Sequence, residues 1–223
     1  MICNVISTGS QGNAVILNNE ILIDCGVPYK KIKQYVQDLR LVLLTHEHGD
    51  HFNPTTIRKL HETRPTLRFG CCEWMVSHLL AADVSPRVID VYSIASSTTF
   101  NEYDRGRVII LAFPLLHDVP NCGYKILIGD KTALYATDTA TMGGISAPGL
   151  DLYMIEANHT EEEIEERIRN KKESGAYIYE YRVEDTHLSR ESADFWLAMN
   201  AGPNSKVIYL HQHIETTRKG DAK

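Results

Sequence analysis

Three features that often guide a first interpretation are missing from this 223-residue chain: a long apolar run, a CxxC cysteine pair and an excess of basic residues. No stretch approaches the roughly 18 apolar residues of a membrane helix, so we expect no membrane contact. The five cysteines are odd in number, which favours a reducing compartment over a disulfide scaffold. The opening MICNVISTGS lacks the segments of a signal peptide, so we expect a cytoplasmic location.

The charge of the chain is acidic, with a formal net charge of -6 at pH 7. This balance argues against a broad electrostatic surface for duplex nucleic acid, although it leaves room for a small local anion site. The compact basic cluster RIRNKKE at 167–173 directly follows the acidic TEEEIEE. We therefore predict a solvated amphipathic helix there, with a lid or a homodimer element as the alternative.

The apolar runs predict alternating strands and helices in one α/β domain over residues 1–223. We expect strands at 1–7, 13–18, 20–25, 40–45, 87–92, 98–103, 107–113, 123–128, 131–137, 151–156 and 206–211. We expect helices at 28–38, 53–63, 73–82, 161–172 and 190–199. The second, fourth and fifth of these have the expected caps Asn53, Thr160 and Ser189. Two sets of strands with helices after each indicate two core sheets with helices outside.

The segment YIYEYRVED at 177–185 alternates in polarity and contains three tyrosines. This alternation predicts a packed strand. Stacking of a nucleobase on one of the tyrosines is the alternative that the sequence leaves open.

The stretch LVLLTHEHGDH at 41–51 runs a buried strand directly into three histidines and an aspartate. Side chains at the C-terminal end of such a strand lie at the rim of the sheet, where ligands commonly bind. His46 and His48 can face one ion, whereas Asp50 and His51 can face a second. Imidazole and carboxylate ligands suit Zn, Fe or Mn and need no thiolate. A polar loop with scattered histidines is the alternative, but so tight a cluster favours a metal site.

THEHGDH resembles the HxHxDH signature of the metallo-β-lactamase fold. The resemblance extends over nearly the whole chain, through ISTGSQGNAVIL, ILIDCG, PLLHDVP, LYATDT and VIYLHQH. It implies an αββα sandwich of two mixed β-sheets flanked by helices, and two divalent metal ions, with Zn favoured over Mn or Fe. The implied ligands are His46, His48 and His117 for one ion, Asp50, His51 and His211 for the other, and Asp138 as the bridge, with Asp24 supporting the site from outside.

Two further segments resemble the YycJ/WalJ-like branch of this fold, which is related to ribonuclease Z-type phosphodiesterases. These are MIEANHT at 154–160 and DTHLSRESADF at 185–195. The resemblance implies that Glu156 orients His187, and that His187 faces a substrate phosphate. The sequence departs from the branch at Ala157, Thr186 and Arg190, positions that we expect beside the substrate rather than on the metals.

Several histidines have simpler alternatives. His187 could be a loop residue ahead of the helix cap, and His211 competes with His213 two residues later. We prefer His211 because it directly ends the VIYL run. His61 and His78 lie in predicted helices, so we expect them to be structural or solvated.

The implied chemistry is hydrolysis of a phosphodiester in single-stranded nucleic acid or a nucleotide, with Asp50, His187 and Glu156 taking part. Two ions roughly 3.5–4 Å apart can share a bridging hydroxide and offset the charge that develops on the phosphate. A cyclic-nucleotide phosphodiesterase is one alternative, and a lactonase or thioesterase of the same fold is another. A structural metal protein is disfavoured, because structural zinc sites are normally closed by four ligands that often include cysteine.

Overall fold

The N-terminal strands form one mixed sheet in sequence order. The structure is a computed structural model that describes residues 1–102 and 106–212. The strands of this sheet are β1 (Cys3–Ser7), β2 (Ala14–Leu17), β3 (Ile21–Ile23), β4 (Leu41–Leu44), β5 (Arg68–Cys72) and β6 (Ile89–Tyr92). The first three strands pair antiparallel, and β3 to β6 run parallel.

The remaining strands form a second mixed sheet. They are β7 (Ser97–Glu102), β8 (Gly106–Leu115), β9 (Asn121–Ile128), β10 (Lys131–Ala136), β11 (Leu152–Glu156) and β12 (Lys206–Leu210). Strands β7 to β10 pair antiparallel, whereas β10, β11 and β12 run parallel. The strand predicted at 98–103 corresponds to β7, and residue 103 lies outside the described residues.

Six helices flank the described strands: α1 (Tyr29–Ile32), α2 (Pro54–Thr63), α3 (Val76–Ala81), α4 (Glu161–Ser174), α5 (Glu180–Thr186) and α6 (Arg190–Asn200). The side chains of Asn53 and Ser189 cap α2 and α6, and Thr160 with Glu163 forms the capping box of α4. The three predicted caps are therefore confirmed. Within the described part of the chain, no helix has both the length and the apolar character needed to cross a membrane.

Strand alternation divides the apolar side chains between two layers of core. Leu41 and Leu43 face the second sheet, whereas Val42 and Leu44 face the helices on the other side. This follows from the two-residue repeat of a strand, which sends successive side chains to opposite faces. The outer face of the second sheet packs on α6 in a third cluster that contains Trp196. The layers are thus helix, sheet, sheet and helix, and the predicted αββα class is confirmed.

The strand predicted at 177–185 is wrong, because most of that segment is helix α5. Its tyrosines do not pack against a sheet: Tyr177 is 87% exposed and Tyr181 is 47% exposed. Glu180 is instead buried, and its carboxylate pairs with Lys171 Nζ of α4 at 2.8 Å. A tertiary contact with α4 therefore replaces the strand pairing that the polarity pattern suggests.

The helix predicted at 28–38 is shorter than expected. Helix α1 gives way to a 3-10 turn at Lys33–Tyr35. The following carbonyl oxygens of Val36, Gln37 and Leu39 accept hydrogen bonds from the Arg64 guanidinium. Because the side chain of the residue that follows α2 satisfies these carbonyls, they keep hydrogen bonds although the helix ends.

The fold brings the loop after β3 against the loop after β4. The backbone nitrogen of Cys25 donates to the carbonyl oxygen of His51 at 2.8 Å, and that of Gly26 donates to Asn13 at 2.9 Å. A Cβ atom at Gly26 would lie only 1.7 Å from the carbonyl oxygen of Asp50. Gly26 is therefore the residue that allows the histidine-rich loop to approach this closely.

We expect Gly26→Ala to lower the free energy of unfolding by about 1–3 kcal/mol or more, because the added methyl meets backbone atoms that cannot turn away. This corresponds to a fall of roughly 2–12 °C in Tm for a chain of this size. Thermal unfolding of the metal-free chain measures the change. Gly49→Ala is the matched control, since nothing lies within 4 Å of its Cβ position. Equal Tm values for the two variants would show that the close approach is not a packing constraint.

Candidate metal centre

Ionisable side chains collect at one edge of the sandwich, where strands of both sheets end. Asp24 follows β3, Asp138 follows β10 and His211 follows β12, and their φ angles are 55°, 56° and 54°. This left-handed backbone is uncommon outside glycine and costs on the order of 1 kcal/mol or more per residue. Three such residues at one edge indicate that the surrounding structure holds these side chains in fixed directions.

One group of nitrogen atoms comes from His46, His48 and His117. One ligand atom from each of these residues lies within 4.8 Å of the others. His117 Nε2 and His48 Nδ1 are 3.3 Å apart, and His46 Nε2 is buried without a hydrogen-bond partner. The structure therefore gathers the three residues that the resemblance assigns to one ion.

A second group lies next to the first. Asp50, His51 and His211 each offer an atom within 4.8 Å of the other two. His211 Nε2 is 3.6 Å from Asp50 Oδ2 and 3.6 Å from Asp138 Oδ1, and it is buried without a hydrogen-bond partner. His51 Nε2 lies 2.9 Å from Asp138 Oδ2. Asp138 thus contacts the second group, and it also shares a potential ligand group with His46 and His51.

The other ring nitrogens of these histidines are held by neighbours. Four contacts share this role: Thr45 Oγ1 with His46 Nδ1 at 2.9 Å, Asp24 Oδ2 with His51 Nδ1 at 2.7 Å, the Thr186 carbonyl with His117 Nδ1 at 3.2 Å, and Glu156 Oε1 with His211 Nδ1 at 3.0 Å. Such contacts fix the ring and its tautomer, as they do around protein metal sites. The orphaned Nε2 atoms of His46 and His211 therefore fit a metal ion.

Asp24 lies one layer outside these ligand candidates. Its carboxylate is fully buried and accepts hydrogen bonds from the Thr45 hydroxyl at 2.9 Å and the Tyr135 hydroxyl at 2.9 Å. It also accepts from the Thr45 backbone nitrogen at 3.0 Å and contacts His51 Nδ1. These partners leave Asp24 to orient His51 rather than to bind an ion directly.

The protonation states match a site prepared for cations. Burial lowers the pKa of His46 and of His117, which favours the neutral imidazole that binds metals. Burial also opposes charge at Asp138, but His51 and His211 hold the pKa of Asp138 well below its ordinary value. Asp138 is therefore ionised, and its charge is available to a metal.

The two histidines of the second group favour the protonated form. Burial disfavours the charged form of His51, but Asp138 and Asp24 outweigh it and raise the pKa of His51 well above its ordinary value. Burial acts the same way on His211, yet Asp138, Asp50 and Glu156 raise its pKa to about 10. The negative charge of the site thus attracts either protons or metal ions.

Glu156 anchors His187 as the resemblance implies. The buried carboxylate lies 2.7 Å from His187 Nδ1 through Oε1, and Oε2 accepts from the backbone nitrogens of Thr139 at 2.9 Å and Leu188 at 3.3 Å. The rings of His187 and His211 stack with centroids 5.0 Å apart. Both oxygens of Glu156 are occupied, so this residue positions histidines, although Asp138, Glu156, His187 and His211 also form a potential ligand group.

A cavity of about 420 Å³ opens over these residues. Its lining includes ligand candidates, His187 and Tyr179, which is one of the three tyrosines noted in 177–185. It adds residues that the sequence analysis did not single out: Ser10, Asp118, Arg182 and Val183. Asp118 is the most informative of these, because its carboxylate lies 3.1 Å from His117 Nε2 and 3.5 Å from His48 Nε2. Asp118 directly follows the ligand candidate His117 in PLLHDVP, and this adjacency is the sequence signal that could have identified it.

The remaining histidines are accounted for separately. His61 Nε2 accepts a hydrogen bond from the Ser85 backbone, and His78 pairs with Glu47 at 2.7 Å. Neither lines the cavity, which agrees with the expected structural or solvated roles. His213, the competitor of His211, lies outside the described residues.

All three positions that depart from the branch pattern were expected beside the substrate, but only one of them lines the cavity. Thr186 lines it. Arg190 instead pairs with Asp194 at 2.9 Å, and Ala157 is buried in the cluster beneath α6. The expectation is therefore corrected for two of the three positions, because their side chains pack away from the cavity.

The chain belongs to the beta-lactamase superfamily, since residues 19–212 match the Beta-lactamase superfamily domain. Among known proteins it is similar to the exodeoxyribonuclease WalJ of two Streptococcus pneumoniae strains. The identity is 28%, over 93% of this chain and 79% of the relative.

Two solved structures share the fold at low sequence identity. The metallo-beta-lactamase fold protein YhfI from Bacillus subtilis has a TM-score of 0.68 and 16% identity, covering 94% of this chain and 85% of that chain. The short form of human tRNase Z has a TM-score of 0.67 and 16% identity, covering 95% of this chain and 92% of that chain. The predicted fold is confirmed by these relationships, and two of the proteins that the chain resembles carry the names of nucleases.

We expect metal binding to release protons. His211 of the metal-free chain is protonated at pH 7 because its pKa is raised to about 10, so a cation that binds Nε2 must displace that proton. The apparent affinity should therefore rise with pH over the range in which His211 and His51 lose their protons. Titration calorimetry in buffers of different ionisation enthalpy measures the released protons, and His211→Ala should release fewer. Binding enthalpies that do not depend on the buffer would contradict this assignment.

Proposed function

We propose that this chain is a two-metal phosphodiesterase that cuts phosphodiester bonds in single-stranded nucleic acid or nucleotides. His46, His48 and His117 would hold one ion, Asp50, His51 and His211 would hold the other, and Asp138 would contact both. Residues 1–223 act as a single domain in this proposal, and the family match over 19–212 supports that extent. Zn is the favoured metal because the donors are imidazole and carboxylate groups.

The observation that carries the proposal is the pairing of Glu156 with His187 beside two potential ion sites. His187 lines the cavity, and its Nδ1 is already held by Glu156 at 2.7 Å. Nε2 is consequently the nitrogen that faces a ligand. A histidine placed in this way suits the transfer of a proton to an oxygen of an anionic substrate.

The protein groups divide the reaction between them. Bound divalent ions would lower the pKa of a water molecule and offset the negative charge of the phosphate. Asp50 and Asp138 hold fixed negative charge beside the histidines, because the pKa of each carboxyl group is lowered. His187 would pass a proton from Nε2 to the leaving oxygen, while the Glu156 carboxylate holds Nδ1 at 2.7 Å.

The substrate class follows from the cavity and the charge. A cavity of about 420 Å³ accepts a nucleotide-sized group. The net charge of -6 does not favour long contacts with duplex backbone. Names of relatives point the same way, since WalJ is named an exodeoxyribonuclease and the human relative a tRNase. The substrate panel contains a generic diester, cyclic nucleotides, single strands, and a lactone or thioester. Turnover of the lactone or thioester alone would overturn the proposal.

We expect the purified chain to bind about two transition-metal ions. Asp138→Ala should lose one of them and most of the diesterase activity, because this carboxylate lies 2.9 Å from His51 and 3.6 Å from His211. Elemental analysis beside turnover measures both effects. His61→Ala serves as the control, since His61 lies in α2 away from the cavity. A stoichiometry of zero after reconstitution with Zn or Mn would exclude the two-metal proposal.

We expect His187→Ala to keep the metals and to lower kcat for a phosphodiester by about 10²–10⁴-fold, the usual range for a positioned acid. Glu156→Gln keeps the shape of the side chain but removes its charge, so kcat should fall as well. The double variant should be little worse than His187→Ala, since the two groups act as a unit. Single-turnover rates and metal analysis test this. Loss of a metal in His187→Ala would identify a ligand, and unchanged kcat would remove His187 from the reaction.

A further inference from the structure

The segment at the start of α5 places two side chains in the cavity that the metal-centred roles do not use. Tyr179 and Arg182 line the cavity together with Asp118 and His187. Among the described residues of that lining, Tyr179 is the one tyrosine, phenylalanine or tryptophan, and Arg182 is the one arginine or lysine. An aromatic face and a guanidinium are the two groups that bind a nucleobase and its phosphate.

The Tyr179 ring is fixed from one side. Lys171 Nζ lies 3.5 Å from the ring centroid, and the same ammonium pairs with the buried Glu180 carboxylate at 2.8 Å. The cation covers one face of the ring and limits its rotation. Tyr179 is 45% exposed and lines the cavity, so part of the side chain is accessible to a ligand there.

The Arg182 guanidinium is aimed by a carboxylate. Its Nη2 donates to Asp118 Oδ2, and the side chain is otherwise 72% exposed. A guanidinium has five N–H donors in a planar fork, so one contact with Asp118 leaves donors for a phosphate. Asp118 in turn contacts His117 Nε2 at 3.1 Å, which places Arg182 beside the candidate metal centre.

Helix α5 ties both residues to the reacting centre. Tyr179 is the N-cap of α5, and Arg182 follows three residues later on the same face. At the other end of the helix, the Thr186 carbonyl contacts His117 Nδ1 at 3.2 Å. The ring and the guanidinium therefore sit at a fixed offset from the candidate metal centre.

We propose that Tyr179 and Arg182 hold the end of a single-stranded nucleic acid, with one base stacked on Tyr179 and the neighbouring phosphate paired with Arg182. The inference rests on the proposed function and narrows its substrate from single-stranded nucleic acid or nucleotides to the end of a strand. A base inside a duplex has both faces covered by its neighbours, so an interior nucleotide must leave the stack before it can pack on the ring. Stacking is available to every base, and little sequence preference is expected.

Binding of single strands to the Zn-loaded chain tests the proposal. The ligands are labelled DNA and RNA strands of one sequence, with phosphorothioate linkages that resist cutting, and the matching blunt duplex. Tyr179→Ala should weaken single-strand binding by about 5- to 150-fold, whereas Tyr179→Phe should retain it. Arg182→Ala should reduce the slope of log K against log salt by about 0.7, the value for one lost phosphate contact on a single strand. Tyr179→Ala should leave that slope in place.

Matched controls come from the same chain. Tyr181 is 47% exposed and lies near Lys172, yet it does not line the cavity. Arg58 of α2 is a half-exposed arginine, and its guanidinium pairs with Asp83 at 2.8 Å. Tyr181→Ala and Arg58→Ala should bind single strands as the unmodified chain does.

The outcomes separate this inference from the proposed function. Equal affinity of Tyr179→Ala and the unmodified chain for both strands, or tighter binding of the duplex, would overturn the inference even if diesters are hydrolysed. Absence of hydrolysis of every phosphodiester would overturn the proposed function, while the binding series would still decide the role of Tyr179. If the inference and the proposed function both hold, Tyr179→Ala should raise KM for an oligonucleotide by a larger factor than it lowers kcat.

Discussion

The contact on which the site depends is the buried line from Asp24 through His51 to Asp138. His51 comes from the loop after β4, Asp138 follows β10 of the other sheet, and the two ring nitrogens lie 2.7 Å and 2.9 Å from the two carboxylates. Tyr135 of the second sheet also donates to Asp24 at 2.9 Å. Buried charges of this kind are tolerated only when they are paired. The line therefore holds the two sheets together at the edge where the other candidate ligands emerge.

That line also explains the strained backbone around it. Asp24, Asp138 and His211 adopt left-handed conformations, and each follows a strand that is fixed by its neighbours. Such conformations persist only where the surroundings over-determine them. The packing of two core layers supplies that constraint, so the energy gained by burying apolar side chains maintains an arrangement of charges that would otherwise relax. A cation in place of the protons on His51 and His211 would offset the same negative charge.

Local signals predicted the sandwich and the histidine-rich loop. Strand alternation, capping residues and the His-x-His-x-Asp-His spacing each involve residues that are close together in the sequence. His117, Asp138 and His211 required the resemblance, since their proximity is created only by the pairing of β8 to β12. Helix α5 was mispredicted for a related reason. Its alternating tyrosines imitate a strand, whereas the contact that decides its conformation joins Glu180 to Lys171 of another helix.

The division between chemistry and substrate contact follows from where the residues lie. The candidate ligands follow strand ends that are fixed by the core, whereas Tyr179 and Arg182 lie on a short helix joined to the core through α4, Asp118 and the Thr186 carbonyl. The Thr186 contact uses only the backbone, so position 186 can change its side chain without releasing His117. A departure from the branch pattern at this position can therefore alter the cavity wall while the geometry of the candidate metal centre is preserved.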